Sequence, residues 1–327
     1  MSIGDTRETL IRVLLRIADI LLVPLTFLGG IWLGITRRYG IEKLPLTRST
    51  LLRIGVFPIR DHYYEPQFKF GPGSFSDMRE RTLPGLDLNV AEQLELLSRF
   101  RFQDELVRFP MEQAKEHGFY YQNSMFGAGD AEYLYSLVRL IKPRRVIEIG
   151  CGFSTLIILN AATENQIGEP SYECLHTCIE PYENPWLDQV GVKLVRQRLE
   201  DLPLTDFESL ERDDILFIDS SHMIRPRGDV LYEFLEILPR LKQGVYVHIH
   251  DIFTPFDYPD QWVHEEVRFW NEQYLAEAFL TGNSGYSIIG ALYFLSRHFP
   301  EKVAEKFPVL ASEIQQKKPG SFWIVKR

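Results

Sequence analysis

Polar side chains with the types and spacing needed for catalysis follow two apolar runs in the C-terminal half of the chain. Asp219 ends one run and His222 comes three residues later, while His250 and Asp251 end the next. Parallel strands bring their carboxyl ends to one edge of a sheet, where ligands bind in open α/β folds. Asp219, His250 and Asp251 predict a site for Mg²⁺ or Mn²⁺, whereas His222 predicts a general base that needs no metal. The sequence leaves both chemistries open.

An acidic residue and two closely spaced glycines lie upstream of this region. Glu148 ends an apolar run, Gly150 and Gly152 follow, and a helical pattern begins near Ser154. This order predicts a strand, a tight loop and a helix, which is typical of a nucleotide-type cofactor site. The loop lacks a third glycine and a Gly-Lys-Ser/Thr ending, and Glu180 comes later than the roughly 20 residues expected for a dinucleotide ribose ligand. A diphosphate cofactor is therefore disfavoured.

These residues resemble the first two motifs of the class I S-adenosylmethionine-dependent methyltransferases. Glu148, Gly150 and Gly152 match the first motif, and Ser154 stands where its third small residue falls. Glu180 matches the acid that accepts hydrogen bonds from the ribose hydroxyls of the cofactor. The resemblance implies that these five residues bind S-adenosylmethionine.

The resemblance extends to the catalytic residues. Asp219 and Asp251 match the metal-ligand positions of cation-dependent O-methyltransferases, although Ile252 stands where some of these enzymes carry an asparagine ligand. The chain has an Asp-x-x-His strand end followed by a His-Asp strand end. This pattern resembles that of a methyltransferase subfamily often found with glycan and secondary-metabolite pathways. It implies O-methylation of a sugar, glycan or related hydroxylated acceptor, with His222 and Asp219 catalytic and Asp219 also on the cofactor side. The alternatives are a nicotinamide-dependent oxidoreductase of Rossmann fold and a non-catalytic, membrane-tethered scaffold.

The elements that position these residues follow from the hydrophobic pattern. Beyond Arg145, short apolar strands alternate with helical stretches, which predicts an α/β fold with a doubly wound, mostly parallel, seven-stranded Rossmann-like sheet. The predicted strands are 146–149, 173–179, 192–195, 215–219, 245–250, 286–289 and 321–325. Helices are expected to begin near Asn89, Asp130, Ser154, Asn184, Asp229, Trp262 and Pro300.

Three regions are expected along the chain. Residues 1–43 form a hydrophobic anchor or packing helix, residues 44–128 form a partly irregular, partly helical cap or lid over the substrate, and residues 129–327 bind the cofactor. The stretch 44–90 is expected to be irregular because proline and glycine punctuate it.

The hydrophobic segment at residues 20–35 carries no charge. It is shorter than the roughly 20 residues of a spanning helix, and Pro24 with the Gly29-Gly30 pair would interrupt it. We predict membrane association through this segment, as a span or as an in-plane anchor. The alternative is a helix packed on the domain or in a homo-oligomer interface. The arginines after the segment predict a cytoplasmic enzyme attached to the inner face of the membrane.

The composition limits the classes of partner that the protein is expected to bind. The formal net charge is −9, and no basic cluster is interleaved with aromatic residues, so a nucleic-acid substrate is not expected. Cys151, Cys174 and Cys178 form no disulfide framework and are expected to be small buried side chains. We expect strand alternation to turn His176 away from both neighbouring thiols, which argues against a metal site there.

Overall fold

The structure is a computed structural model that describes residues 3–59, 66, 78–266 and 268–327. The chain divides into two compact units, residues 1–74 and 75–327. Each unit is described by itself. The predicted boundaries after residues 43 and 128 stay predictions.

The first unit is helical. It contains α1 (Ile3–Tyr39), a 3₁₀ turn (Ile41–Lys43) and α2 (Pro45–Ile54). The expectation of an irregular segment from residue 44 was wrong for α2, because proline is compatible with the first turn of a helix and Gly55 ends it in the left-handed conformation. The rest of that expected irregular stretch falls partly on residues 60–65 and 67–77, outside the described residues.

Helix α1 contains the charge-free segment. The helix continues through Pro24 and the glycine pair, so the predicted interruption was wrong. Most large apolar side chains between residues 20 and 35 are exposed. Among the helices that the structure describes, none combines the length and the apolarity that crossing a membrane requires.

The second unit is built on one seven-stranded sheet. Its strands are β1 (Arg145–Ile149), β2 (Leu175–Ile179), β3 (Lys193–Val195), β4 (Ile215–Ile218), β5 (Tyr246–Ile249), β6 (Tyr286–Ala291) and β7 (Phe322–Lys326). Their spatial order is β3-β2-β1-β4-β5-β7-β6, and β7 runs antiparallel to both of its neighbours. The predicted doubly wound, mostly parallel sheet is confirmed. The sheet is mixed rather than purely parallel, because β7 is antiparallel to its neighbours.

Helices and turns cover this sheet. They are α3 (Val90–Ser98), α4 (Gln103–Leu106), α5 (Asp130–Ile141), α6 (Phe153–Gly168), α7 (Leu204–Glu208), α8 (Asp229–Tyr232), α9 (Leu238–Arg240), α10 (Glu272–Leu280), α11 (Leu292–His298), α12 (Pro300–Lys306) and α13 (Pro308–Ala311). Two 3₁₀ turns span Pro185–Gln189 and Leu199–Asp201, and two π-helical turns span Glu233–Ile237 and Gln261–Glu265.

Some helix predictions need correction. The helix expected to run from Val90 to about Val107 breaks after Ser98. The Asn89 side chain does not cap α3, because it donates instead to the Glu92 carboxylate and the Ile288 carbonyl. The segment after Asn184 forms only a 3₁₀ turn.

The strand order places a topological switch point between β1 and β4. From β1 the chain proceeds to β2 and β3 on one side, and it returns to build β4 and β5 on the other. The loops after β1 and β4 leave the sheet in opposite directions at this point and open a crevice beyond the strand ends. The predicted motifs follow β1, β2, β4 and β5, so the fold brings them to this crevice.

Candidate active site

The loop after β1 passes tightly between the ends of two neighbouring strands. The Gly150 N–H donates to the Ile179 carbonyl at 3.0 Å, and the Asp219 N–H donates to the Ile149 carbonyl at 2.8 Å. Gly150 has a φ of 73°, and a Cβ atom there would collide with the Asp219 carbonyl. The first glycine is therefore required by the backbone itself.

Glu148 lies behind this loop and is fully buried. Its carboxylate accepts hydrogen bonds from Ser154 Oγ at 2.6 Å and Thr155 Oγ1 at 2.8 Å, and it lies 2.7 Å from His176 Nε2. Glu148 is not among the residues that line the cavity described below, whereas Ser154 is. The structure thus gives the Glu148 carboxylate a place in shaping the loop rather than on the cavity wall.

His176 contradicts the expectation that it points away from the neighbouring thiols. Residues two apart on a strand share a face, and His176 Nε2 lies 3.5 Å from Cys178 Sγ. Burial lowers the pKa of His176, but its contacts with Cys178 and Glu148 outweigh this effect and raise the pKa to about 10. The structure therefore holds a buried pair of His176 and Glu148 directly beneath the cofactor loop.

Glu180 follows β2 and lies on the cavity wall. Its carboxylate accepts hydrogen bonds from the backbone N–H groups of Tyr182 at 3.0 Å, Glu183 at 2.9 Å and Cys151 at 3.4 Å. These donors fix the orientation of the carboxylate next to Gly152. A carboxylate oxygen accepts more than one hydrogen bond, so Glu180 retains acceptor capacity toward the cavity.

The crevice is a cavity of about 1180 Å³, larger than the about 300–1,000 Å³ of common small-molecule sites. One side is lined by the loop after β1 and by Glu180. The other side is lined by the four residues predicted from the strand ends, Asp219, His222, His250 and Asp251. The volume is sufficient for two ligands side by side.

His222 lies at the centre of the second side. Its Nδ1 atom lies 2.8 Å from the Oε2 atom of the buried Glu272, and its Nε2 atom lies 3.3 Å from Asp219 Oδ1. The ring packs against Trp270 with centroids 4.2 Å apart. The sequence analysis missed Glu272 and Trp270 as site residues, because both lie about fifty residues from His222 in a segment without a motif.

The charges around His222 control its protonation. Burial alone lowers the pKa of His222, but the hydrogen bonds to Asp219 and Glu272 outweigh it and raise the pKa well above the ordinary value. Burial raises the pKa of Asp219, and the nearby His250 and His222 outweigh burial so that the net shift is downward. The Asp219 side chain remains 31% exposed. The contacts therefore favour the charged forms of both Asp219 and His222.

The two further histidines on β5 and at its end differ. His248 is fully buried and stacks on Phe217 with ring centroids 4.0 Å apart, so it belongs to the core. His250 lines the cavity, and its Nε2 atom lies 3.6 Å from Asp251 Oδ1. Burial lowers the pKa of His250, but Asp251, Asp219 and Asp130 outweigh burial and raise it.

The predicted metal ligands do not converge on one point. His222 Nε2 lies 3.8 Å from Asp251 Oδ2 as well as 3.3 Å from Asp219 Oδ1, so the same imidazole nitrogen contacts both carboxylates. Over the described ranges, the donor atoms of Asp219, His250 and Asp251 do not form a group within 4.8 Å of one another. These residues do not fit a preformed site for Mg²⁺ or Mn²⁺.

Three other potential metal ligands do have their donor atoms within 4.8 Å of one another, namely Glu148, Cys151 and Cys178. Their donor atoms are already engaged. Cys178 Sγ donates to Glu148 Oε2 at 3.5 Å, and Cys151 Sγ donates to the carbonyls of Glu148 and Ile179. This group is a hydrogen-bonded support for the cofactor loop.

Comparisons with known proteins show what part of the second unit is similar to. Residues 147–252 match a family whose description is methyltransferase domain. An uncharacterized protein from Archaeoglobus fulgidus is 30% identical over 140 residues, which are 40% of this chain and 61% of that protein. A solved structure, an O-methyltransferase from Bacillus cereus in complex with SAH, covers 72% of this chain and 91% of its own, with 12% identity and a TM-score of 0.36. A similarity of that size carries no argument about the reaction.

Residues 147–252 of the chain therefore resemble a methyltransferase domain. The family match spans the loop after β1, the end of β2 and the ends of β4 and β5, which hold the residues of the predicted motifs. It confirms the predicted resemblance to the class I S-adenosylmethionine-dependent methyltransferases.

Proposed function

We propose that this protein is an S-adenosylmethionine-dependent O-methyltransferase that acts on a small hydroxylated acceptor, with His222 as the general base. The hydrogen bond between Glu272 Oε2 and His222 Nδ1, 2.8 Å long and buried, carries the proposal. It fixes the ring so that Nε2 faces Asp219, which lines the cavity. A carboxylate that orients an imidazole in this way is the arrangement that proton transfer to the opposite nitrogen requires.

The reaction balances with these groups. The acceptor hydroxyl gives its proton to His222 Nε2 while its oxygen bonds to the methyl carbon, and the carbon–sulfur bond breaks with its electron pair on sulfur. The products are a methyl ether, S-adenosylhomocysteine and a protonated His222. Asp219 and Glu272 stabilise the imidazolium that forms.

Binding of the cofactor is assigned to the other side of the cavity. Glu180 accepts hydrogen bonds from the ribose hydroxyls, and Gly150 and Gly152 let the ligand approach the backbone. S-adenosylmethionine supplies an activated methyl group on a cationic sulfur. In-line alkyl transfer depends mainly on orientation, and the cavity wall provides this orientation. The predicted sugar or glycan acceptor stays a prediction.

The proposed route uses no divalent ion, because His222 Nε2 already contacts both aspartates that would bind one. Dialysis of the full chain against EDTA is expected to leave the rate of methyl transfer unchanged within about two-fold. Loss of activity with EDTA and its recovery with Mg²⁺ or Mn²⁺ would overturn this part of the proposal.

Transfer of a labelled methyl group tests the function. Full-length chain, labelled S-adenosylmethionine and pooled hydroxylated metabolites are incubated, and label is followed into small-molecule, lipid and glycan fractions. His222→Ala is expected to reduce transfer by about 100-fold or more. His298→Ala is the matched control, because His298 is a partly exposed histidine outside the cavity that pairs with Glu80. Equal transfer by wild type and His222→Ala would contradict the assignment.

For α1 we propose attachment to a membrane surface. Its exposed apolar side chains include Leu21, Phe27 and Trp32, and many exposed apolar side chains on one segment mark an interaction site. Flotation with vesicles of neutral and anionic phospholipids is expected to carry the full chain, and Leu21→Asp with Phe27→Asp is expected to release it. Concentration-dependent association without vesicle binding would instead assign this surface to a homo-oligomer.

A further inference from the structure

The acceptor side of the cavity contains an arginine held between two tryptophans. The guanidinium carbon of Arg268 lies 4.4 Å from the ring centroid of Trp262 and 4.4 Å from that of Trp270. The two indoles meet edge to face, 5.3 Å apart at 75°. Stacking on aromatic faces holds a guanidinium in a fixed orientation while its charge is retained.

This arginine is close to the proposed base. Trp270 contacts both Arg268 and the His222 ring, so the Arg268 charge is separated from His222 by a single indole. The Asn271 N–H also donates to the His222 carbonyl at 3.0 Å, which fixes this segment against the loop that carries the base. A ligand whose hydroxyl contacts His222 therefore also reaches Arg268, through a second group that lies one or two rings away from that hydroxyl in the ligand.

Arg268 retains donors for a ligand. Its Nε and Nη2 atoms both lie 2.6 Å from Glu266 Oε2, so one carboxylate oxygen engages one edge of the guanidinium. A guanidinium has five donors in a planar fork that matches carboxylate and phosphate groups. The Arg268 side chain is 33% exposed and lines the cavity.

Resting on the function proposed above, we infer that the acceptor carries an anionic group, a carboxylate or a phosphate, and that Arg268 binds it. The acceptor side of the cavity is otherwise rich in acids, namely Asp219, Asp229 and Asp251. Their carboxylates would repel an anion placed beside them. Arg225 also lines the cavity and is paired with Asp229 at 3.5 Å, as Arg268 is paired with Glu266. Arg268 differs because it lies against the faces of Trp262 and Trp270, which fix its orientation. Arg268 therefore acts as a specificity-determining residue, and neutral analogues of the acceptor are poor substrates.

Calorimetric titration tests the inference with two matched sets of probes. One set is resorcinol, 3-hydroxybenzoate and 3-hydroxyphenyl phosphate, and the other is glucose, glucuronate and glucose 6-phosphate. Each is titrated into the full chain, with and without S-adenosylhomocysteine. At least one anionic probe is expected to bind about 10-fold or more tightly than its neutral partner, and the carboxylate and phosphate members distinguish the two anions.

Variants of Arg268 test whether this residue causes the preference for anionic over neutral probes. Arg268→Gln is expected to remove it, and Arg268→Lys is expected to keep part of it, since lysine keeps the charge and loses the fork. Arg297→Gln is the control, because Arg297 lies over Tyr293 at 4.9 Å outside the cavity. Equal binding of neutral and anionic probes, no binding of any anionic probe, or an unchanged preference in Arg268→Gln would each overturn the inference. Failure of S-adenosylhomocysteine to bind would instead overturn the proposed function, independently of the probe preference.

Discussion

The Nδ1 atom of His222 lies 2.8 Å from the Oε2 atom of Glu272, although fifty residues separate them in the chain. Glu272 is fully buried at the start of α10, and His222 follows β4 with a left-handed backbone, φ 57°. Such a conformation is uncommon for a residue other than glycine and is typically retained where a site requires it. The pair fixes the ring of the proposed base.

Replacement of Glu272 by glutamine tests this orientation. Glu272→Gln keeps the side-chain volume and removes the charge that stabilises the imidazolium, so the turnover number is expected to fall by about 100-fold. Calorimetry is expected to show unchanged affinity for S-adenosylmethionine. Glu277→Gln on the same helix is the control, because Glu277 pairs with Arg81 and Thr254 rather than with His222. A turnover number equal to that of wild type would exclude the orienting role.

The dependence of the rate on pH follows from the raised pKa of His222. The base must be neutral to accept a proton, and Asp219 and Glu272 stabilise its charged form. The wild-type kcat/KM is therefore expected to rise with pH across and above neutrality. In Asp219→Asn one stabilising charge is lost, so the pKa of His222 falls and the rise moves to lower pH. Rate profiles of the two proteins measure the shift, and coincident midpoints would contradict this account.

The sequence was sufficient to predict the strand ends and the residues that they carry. Asp219 and Asp251 approach the same imidazole because they follow the adjacent strands β4 and β5, and strand order in a doubly wound sheet is predictable. Glu272, Trp270 and Arg268 reach the site through the chain after β5. The helix expected to begin near Trp262 is only a π-helical turn there, and α10 begins at Glu272. The path of this segment therefore depends on tertiary packing that no local spacing encodes.

Glu148 shows a different limit. Its motif implied a cofactor ligand, but the role of a carboxylate depends on which partners share its face of the sheet. Glu148 is directly opposite Cys178 in the register of β1 and β2, and His176 shares that face. The imidazole of His176 and the hydroxyls of Ser154 and Thr155 already contact the Glu148 carboxylate within the protein.

The His176–Glu148 pair is expected to stabilise the fold in a pH-dependent way. The pKa of His176 is raised from 6.5 to about 10, because its contacts with Cys178 and Glu148 outweigh burial. The folded chain therefore keeps a proton that the unfolded chain releases, and the stabilisation is complete below pH 6.5 and lost as the pH rises through about 10. His176→Gln is expected to lower the free energy of unfolding by about 3 kcal/mol at low pH.

Urea denaturation at several pH values measures this difference. The gap between wild type and His176→Gln is expected to shrink toward alkaline pH. His298→Gln, a surface control, is expected to show no such trend. A gap that is constant or grows with pH would mean that the buried pair is not ionised.

The two glycines of the cofactor loop are expected to respond differently to alanine. Gly150→Ala forces a Cβ against the Asp219 carbonyl at positive φ, so it is expected to destabilise the fold by more than about 1 kcal/mol. At Gly152 the φ is −174°, and a Cβ would meet only Asn184 Nδ2, at an ordinary 3.6 Å. Gly152→Ala is expected to keep the wild-type melting temperature and to weaken binding of S-adenosylmethionine by about 10-fold. Normal affinity in Gly152→Ala would show that the ligand does not approach this backbone.

Cofactor choice is the most direct test of the account. The full chain is titrated calorimetrically with S-adenosylmethionine, S-adenosylhomocysteine and the nicotinamide dinucleotides. This compares the proposed cofactor with the cofactor of the alternative, a nicotinamide-dependent oxidoreductase of Rossmann fold. We expect saturable binding of both sulfur compounds, about 10-fold or more weakened in Glu180→Gln, and no binding of the dinucleotides. Binding of a nicotinamide dinucleotide without binding of S-adenosylmethionine would contradict it.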